Sequence, residues 1–153
     1  MASGNTANIL GPNVGKDISI TITDSLGNTY VQDALGILTN VDPKFKYKHH
    51  ETESLTQGGR SWNISIPKGG TIKIKFKRYN AGVTKLLLNY NSNWRSGTVI
   101  DYTIQMQIQN RDGTIDSFQG QHCVPTEGDG GMFSPDTDVP QEIGFECSDI
   151  VQV

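Results

Sequence analysis

Strict alternation of apolar and polar residues is the feature that most limits the fold of this chain. The alternation is clearest in TIKIKFKR, residues 71–78, where Ile72, Ile74 and Phe76 are separated by lysines. Because successive side chains of a strand point to opposite faces, the apolar residues of this segment belong to a core and the lysines to another surface. Similar alternation occurs at 16–23, 44–48, 62–66, 99–110, 115–124 and 141–153. The chain is therefore predicted to be an antiparallel β protein.

One segment has helical spacing instead. In NAGVTKLLLNYNSNW, residues 80–94, apolar side chains recur every three or four positions from Val83 to Trp94. Asn80 is a candidate N-terminal cap, and Gly97 ends the pattern. The predicted fold class is mainly β (α+β), an antiparallel β-sandwich or barrel-like domain with one flanking α-helix and long loops.

The length of 153 residues fits a single domain with its own core. Residues 1–15 contain three glycines and a proline without any periodicity, which predicts an irregular N-terminal arm, and residues 16–153 form the predicted β domain. No apolar run approaches the roughly 20 residues that cross a bilayer, and the chain does not begin with a signal-peptide pattern. We therefore expect synthesis in the cytoplasm.

Glycine and proline mark the predicted turns between strands. Pro67-Lys68-Gly69-Gly70 is predicted to join a strand at 62–66 to TIKIKFKR as a hairpin. Pro43 restricts its own strand to the edge of a sheet or to a strand's first residue. Other predicted connections are a loop or hairpin tip at 49–60, an Asp-Gly hairpin turn at 111–114 and a long loop at 125–136.

The two cysteines, Cys123 and Cys147, allow two interpretations. They form a bridge if their Cα atoms lie within about 7 Å of each other. In a cytoplasmic chain, however, two cysteines are more often separate buried thiols. The expected compartment favours free thiols.

Residues that carry chemistry do not form a recognisable catalytic or metal-binding pattern. His49 and His50 are adjacent, so in a strand they point apart and do not chelate one ion together. His122 and Cys123 point apart for the same reason, which argues against a nucleophile and base pair. The acidic residues at 127–138 lack the calcium-loop spacing. We predict that the protein is not an enzyme and uses no metal, cofactor or small-molecule substrate.

Charge is distributed unevenly along the chain despite a net charge of only -3. Residues 43–78 contain nine basic and two acidic residues, whereas residues 111–153 contain one basic and nine acidic residues. Basic and acidic surfaces of this kind favour head-to-tail contacts between copies, which produce rings when they close and filaments when they do not. The alternative is neutralisation within one chain, where exposed ion pairs contribute little.

The strand predicted at 99–110 has one apolar side and one side of amide, hydroxyl and carboxylate groups. Asp101, Gln105 and Gln107 lie on the polar side, which has no apolar residue. Such a face suits ordinary solvent, and it equally suits the wall of a water-filled channel through which DNA passes without adhering.

The order of these elements resembles that of bacteriophage tail tube proteins. The resemblance rests on an irregular arm, a basic hairpin, one amphipathic helix, a long hairpin from TVIDYTI (98–104) to RDGTI (111–115), a Gly-rich loop and the final strand QEIGFEC (141–147). The tube protein of type VI secretion is similar in architecture. This resemblance covers most of residues 16–153.

The resemblance implies a structural virion protein that forms hexameric rings, stacked head to tail into a hollow conduit for ejection of phage DNA. The lumen would pass DNA without binding it specifically, and the expected location is the virion tail after synthesis in the host bacterium. Sheath, baseplate and terminator proteins are the implied partners, in a contractile tail if a sheath is present. By position, residues 48–61 and 1–15 correspond to the loop and arm that bridge adjoining subunits in this family.

Two sets of residues follow as candidates for these roles. Lumen-facing candidates are Asp101, Gln105 and Gln107, because a wall that gripped phosphate would slow DNA passage. The basic residues are expected to face protein surfaces instead. The candidates for contacts between subunits are Lys73, Lys75, Lys77, Arg78, Arg60, Asp136, Asp138 and Glu142.

Two other functions fit the same sequence. One is a β module that binds single-stranded nucleic acid through the basic strands at 43–78 and neighbouring aromatic residues. The alternation places Phe45, Tyr47 and Trp62 opposite polar neighbours and so predicts that they are core residues, which weakens this alternative. The other is a tail terminator or connector that forms a single ring.

Overall fold

A computed structural model describes residues 18–31, 35–54, 58, 60–110, 112–131, 133, 135 and 137–153 of the chain. The proposed arm at 1–15 lies outside the described residues. The strands are β1 (Ile18–Asp24), β2 (Thr29–Val31), β3 (Ile37–Ser54), β4 (Arg60–Lys77), β5 (Tyr102–Gln109), β6 (Ile115–Gly128) and β7 (Pro140–Gln152), and the helix is α1 (Gly82–Arg95).

All seven strands belong to one sheet, in the order β2-β1-β5-β6-β7-β4-β3. The pairings between neighbouring strands are antiparallel. Helix α1 follows β4 and packs Val83 and Leu86 into the core. The N-cap is Ala81 rather than the predicted Asn80, and Ala81 has no side-chain oxygen for capping. Asn80 Oδ1 accepts a hydrogen bond from the Gly82 N–H (2.8 Å) from the position before the cap. Within the described residues, the mainly β, α+β prediction with a helix beside the sheet is confirmed.

One buried cluster holds the sheet and the helix together. It contains Ile22 of β1, Ile74 of β4, Ile104 of β5 and Phe145 of β7, all with no exposed surface. Strands from both halves of the sheet order therefore contribute to the same core. The predicted inward positions Ile72, Ile74 and Phe76 are confirmed. No helix among the residues that the structure describes has the length and apolar character needed to cross a membrane.

The predicted turn at Pro67–Gly70 is wrong. Residues 60–77 form one continuous strand of 18 residues, paired along its length with the 18 residues of β3. The register shifts between Phe45 and Tyr47, opposite Pro67 to Gly70, so the turn-forming residues produce a β-bulge. Gly69 has a φ of 77°, a conformation that favours glycine. The hairpin reverses between Ser54 and Arg60 instead, so residues 49–54, which were predicted to lie in a loop or hairpin tip, belong to strand β3.

Several other boundaries differ from the predictions. Strand β3 begins at Ile37, within a segment that showed no pattern, and β5 begins at Tyr102 rather than at residue 99. Strand β6 continues to Gly128, through the first part of the predicted long loop, because Pro125 to Gly128 pair with β7. Pro43 lies on the edge strand β3, as predicted.

The expectation of free thiols is also wrong. Cys123 and Cys147 are bonded to each other in the core. They are directly opposite in the register of β6 and β7, with Cα atoms 4.0 Å apart. The expected cellular compartment concerns only the redox environment of the thiols. The bond also depends on the pairing of β6 with β7, which the sequence pattern does not reveal.

Candidate assembly surfaces

The outer face of β4 carries the lysines that the sequence analysis selected. Lys73, Lys75 and Lys77 are exposed because they alternate with the buried residues of this strand. Strand β7, which pairs with β4, places Glu142 directly opposite Lys75. Folding therefore brings the basic and acidic parts of the sequence together within one chain.

Three ion pairs join these two parts. Lys73 lies 3.2 Å from Glu127, Lys77 lies 3.2 Å from Asp138, and Lys46 lies 3.1 Å from Glu146. A hydrogen bond and Coulombic attraction from Glu127 raise the pKa of Lys73 above its ordinary value. Neutralisation within the chain, the alternative considered above, thus accounts for much of the charge on this face.

Gly144 makes room for the Lys73–Glu127 pair. It is opposite both Lys73 and Glu127 in the register of β7 with its neighbours. A methyl group on Gly144 would come within 2.8 Å of the Glu127 Cγ atom. The Glu127 side chain therefore crosses the strand at a residue that has no side chain.

The remaining interface candidates are in different surroundings. Lys75 forms no ion pair with any residue that the structure describes, although Glu142 is its cross-strand neighbour. Arg78 lies over the ring of Phe133 at 5.5 Å and is half-buried. Asp136 lies outside the described residues, and for Arg60 only the backbone is described. The assignment of all these residues to a subunit interface stays a prediction.

An uncharged polar surface covers the other half of the sheet. Thr21, Gln105 and Gln119 are directly opposite one another across β1, β5 and β6. The next row contains Ser19, Gln107 and Ser117 in the same order. We call these six residues the amide face. The lumen candidates Gln105 and Gln107 lie at its centre, and both are exposed.

The third lumen candidate, Asp101, lies just before β5 and is hydrogen-bonded to a histidine. His122 Nδ1 donates a hydrogen bond to Asp101 Oδ2 at 2.8 Å. This hydrogen bond is the largest of the effects that hold the pKa of Asp101 below its ordinary value. His122 has a φ of 50°, and its side chain is largely exposed, unlike its bonded neighbour Cys123. Sequence reasoning gave His122 no role, because the strand register that brings it to Asp101 contains a bulge.

The hairpin of β3 and β4 extends beyond the rest of the sheet. Strand β7 pairs with β4 only from Gly70 to Lys77, so residues 47–54 and 60–67 form a two-stranded projection. One face of this projection carries exposed Trp62, Ile64 and Ile66, which we call the hairpin stripe. Exposed Phe45 and Tyr47 lie near its base.

These exposed aromatic residues correct the prediction that Phe45, Tyr47 and Trp62 are core residues. Their exposed fractions are 55%, 62% and 53%. Alternation identifies two faces of a strand but does not require that either face be covered. In the projection, no third strand or helix within the described residues lies over either face. Trp94, which had the helical spacing of core residues, is also exposed.

The sheet is open at both ends of its strand order. Within the part of the chain that the structure describes, β2 and β3 each pair with a single neighbour. The outer backbone groups of β3 are therefore unpaired along a strand of 18 residues. An edge of this length is a template for pairing with another chain unless it is protected.

Comparison with solved structures identifies the architecture. The sheath-tube complex of an extracellular contractile injection system in the extended state contains a similar chain, with a TM-score of 0.69, 12% identity and coverage of 100% of this chain and 98% of that one. The chain has a tail-tube-like fold. The resemblance seen in the sequence is thereby confirmed.

Two further structures show the same likeness. The sheath/tube terminator of that injection system gives a TM-score of 0.67 at 12% identity, covering 94% of this chain and 97% of the other. The tail of an empty GTA particle, computed with C6 symmetry, gives 0.58 at 16% identity, covering 92% and 98%. No protein-family model matches the sequence, and a comparison with curated proteins finds no similar one.

Proposed function

We propose that this protein is a tail tube subunit whose copies form hexameric rings, stacked head to tail into the hollow conduit of a phage or phage-like tail. The observation that carries the proposal is the open sheet, with a long unpaired edge at β3 and a second edge at β1 and β2. Two different edges on one chain permit a heterologous contact, in which the β3 edge of each copy pairs with the β1–β2 edge of the next.

The similar structures support a structural role and sixfold symmetry. They are components of tails or injection systems, and one of these tails was computed with C6 symmetry. Closing a sheet through such edges would place one sheet face toward the axis. The amide face fits this position because it lacks both lysines to bind phosphate and apolar groups to bind protein. DNA is the proposed cargo, and the tail of the particle is the proposed location.

The projection of β3 and β4 is the proposed bridge to an adjoining subunit, as the family resemblance implies for residues 48–61. A two-stranded hairpin is only marginally stable alone in water, so its exposed apolar residues favour a partner surface. Sheath, baseplate and terminator proteins are proposed further partners.

Sedimentation of the purified protein tests the proposal. We expect a distribution that shifts from ring-sized species to long polymers as protein concentration rises. A monomer at every concentration, with or without partner proteins, would contradict it. A single ring that never lengthens would favour the terminator or connector alternative, for which the likeness to the terminator structure is the supporting observation.

A second candidate function, binding of single-stranded nucleic acid, gains support from one observation. Phe45 and Tyr47 are exposed beside Lys46 and Lys48 in β3, with Trp62 exposed further along the hairpin, and bases stack on aromatic rings beside cations in such sites. Filter binding of labelled single-stranded DNA across a salt series tests it. Affinity that falls steeply with salt and is lost in a Tyr47→Ala variant would favour this function over a tube.

A further inference from the structure

The hairpin stripe and a groove at the far end of the same strand have complementary chemistry. On the stripe's face, the cross-strand partners of Ile66, Ile64 and Trp62 are Lys48, His50 and Thr52. This face is therefore apolar and basic, with no carboxylate among these six residues. Glu51 is paired with Asn63 and lies on the opposite face.

The groove lies where β4 ends and β7 begins, and has a volume of about 420 Å³. Three carboxylates line it, those of Asp129, Asp138 and Glu142, together with Lys75 and Lys77. Because Lys77 is already paired with Asp138, Lys75 is the remaining cation for Asp129 and Glu142. The groove thus carries an excess of negative charge.

Three exposed apolar residues lie close to the Lys77 end of this groove, although they do not line it. Ile37 is paired with the groove residue Lys77 and is 58% exposed. Tyr79 follows two residues later, and Phe133 lies against Arg78, both of them exposed. We call the groove with these three residues the distal groove. The lining of the groove itself has three carboxylates and two lysines, and Arg78 lies against Phe133 beside it, whereas the hairpin stripe is apolar and basic.

A chain cannot fill its own distal groove with its own stripe. Ile64 and Lys77 lie on one strand, about 40 Å apart at roughly 3.3 Å per residue. The two surfaces are therefore at opposite ends of the molecule, which is the arrangement that gives a heterologous, open-ended contact between identical copies.

From these observations we infer that the hairpin stripe of one copy docks in the distal groove of a second copy. The apolar side chains of the stripe pack against Ile37, Tyr79 and Phe133, and Lys48 approaches Asp129 and Glu142. This inference rests on the proposed function, because it identifies the receiving surface for the projecting hairpin in the stacked polymer.

Paired aspartate variants test the stripe. Ile64→Asp puts a carboxylate on the stripe, facing an acidic groove, whereas Ser65→Asp puts the same carboxylate one residue away on the other face. We expect Ile64→Asp to raise the protein concentration required for polymer formation by about tenfold or more. We expect Ser65→Asp to change it less than about twofold. Equal effects would overturn the inference.

A charge exchange tests the groove without altering apolar residues. Lys48→Glu and Asp129→Lys should each weaken polymer formation, and the two together should restore at least part of it. Circular dichroism of each variant checks that the sheet is intact. If the double variant is no better than the worse single variant, Lys48 and Asp129 do not meet.

A photo-crosslinking residue at position 64 identifies the docking surface directly. We expect crosslinks between copies to map to residues 127–142 or to Tyr79. Crosslinks to helix α1 or to the amide face of another copy would overturn this inference while leaving the tube proposal intact. An absence of crosslinks between copies in wild-type polymers would likewise overturn it, and an absence of polymers would overturn both proposals.

Discussion

Single residues fix the local geometry on which these surfaces depend, and Asp24 is the clearest case. This residue is only 5% exposed, and its carboxylate accepts hydrogen bonds from the Leu26 N–H and from the backbone and side chain of Asn28. These bonds close the turn between β1 and β2. They therefore position one of the two open edges of the sheet.

Replacement of Asp24 is expected to destabilise the fold. Asp24→Ala leaves the Leu26 and Asn28 N–H groups without their acceptor and should lower the free energy of unfolding by about 2 kcal/mol. Asp24→Asn keeps an acceptor oxygen and should cost about half as much. Urea denaturation of the wild type and both variants measures the difference, and equal losses would show that the hydrogen bonds are not the cause.

Tyr102 should make the free energy of unfolding depend on pH in the alkaline range. Burial raises the pKa of its hydroxyl group well above the ordinary value. Because the pKa of Tyr102 is higher in the folded than in the unfolded state, its contribution to the free energy of unfolding is fully present below pH about 10. That contribution is lost as the pH rises toward and through the folded-state pKa. Tyr102→Phe should therefore flatten the fall in unfolding free energy between pH 10 and 12, while Tyr79→Phe at an exposed site should not. Parallel curves for Tyr102→Phe and the wild type would contradict this assignment.

At the scale of secondary structure, the alternating segments and the helix were predictable because their patterns record local periodicity. The bulge in β4 was not, because Pro67-Lys68-Gly69-Gly70 has the composition of a turn and only pairing with β3 and β7 keeps it extended. The exposure of Phe45 and Trp62 depends on where β7 stops pairing with β4. The bond between Cys123 and Cys147 depends on the register of β6 against β7. Both are tertiary facts that local patterns do not contain.

The bulge itself can be tested with two glycines of similar backbone conformation. Gly69 and Gly113 both have positive φ, but a methyl group on Gly69 would overlap the backbone of Ser148 and Cys147, whereas Gly113 has open space around it. Gly113→Ala should cost about 1–2 kcal/mol for its conformation alone. Gly69→Ala should cost at least twice as much, measured by thermal or urea unfolding. Similar losses would mean that the close approach to β7 is unimportant.

At the scale of the whole molecule, the separated charges of the sequence are combined within one protomer. Lys73, Lys77 and Lys46 already have carboxylate partners, so assembly need not rely on them. Contacts between copies should therefore depend mainly on pairing of strand edges and on apolar side chains. The charge asymmetry of the sequence was interpreted as attraction between copies. The ion pairs within one chain support that interpretation only in part.

Polymer formation should consequently depend weakly on salt. Between 50 and 500 mM NaCl, surface ion pairs are progressively screened, whereas burial of apolar groups is not weakened. We expect the protein concentration required for assembly to change by less than about threefold over this range, measured by pelleting. A steep rise of this concentration with salt would indicate that attraction between opposite charges on different copies is the main cause of assembly.

Electron cryomicroscopy of the purified, concentrated protein is the most direct test of the central proposal. We expect hollow tubes of uniform diameter built from stacked sixfold rings, in which β3 of each copy pairs with an edge of its neighbour. Monomers, or polymers in which both sheet edges remain unpaired, would contradict it.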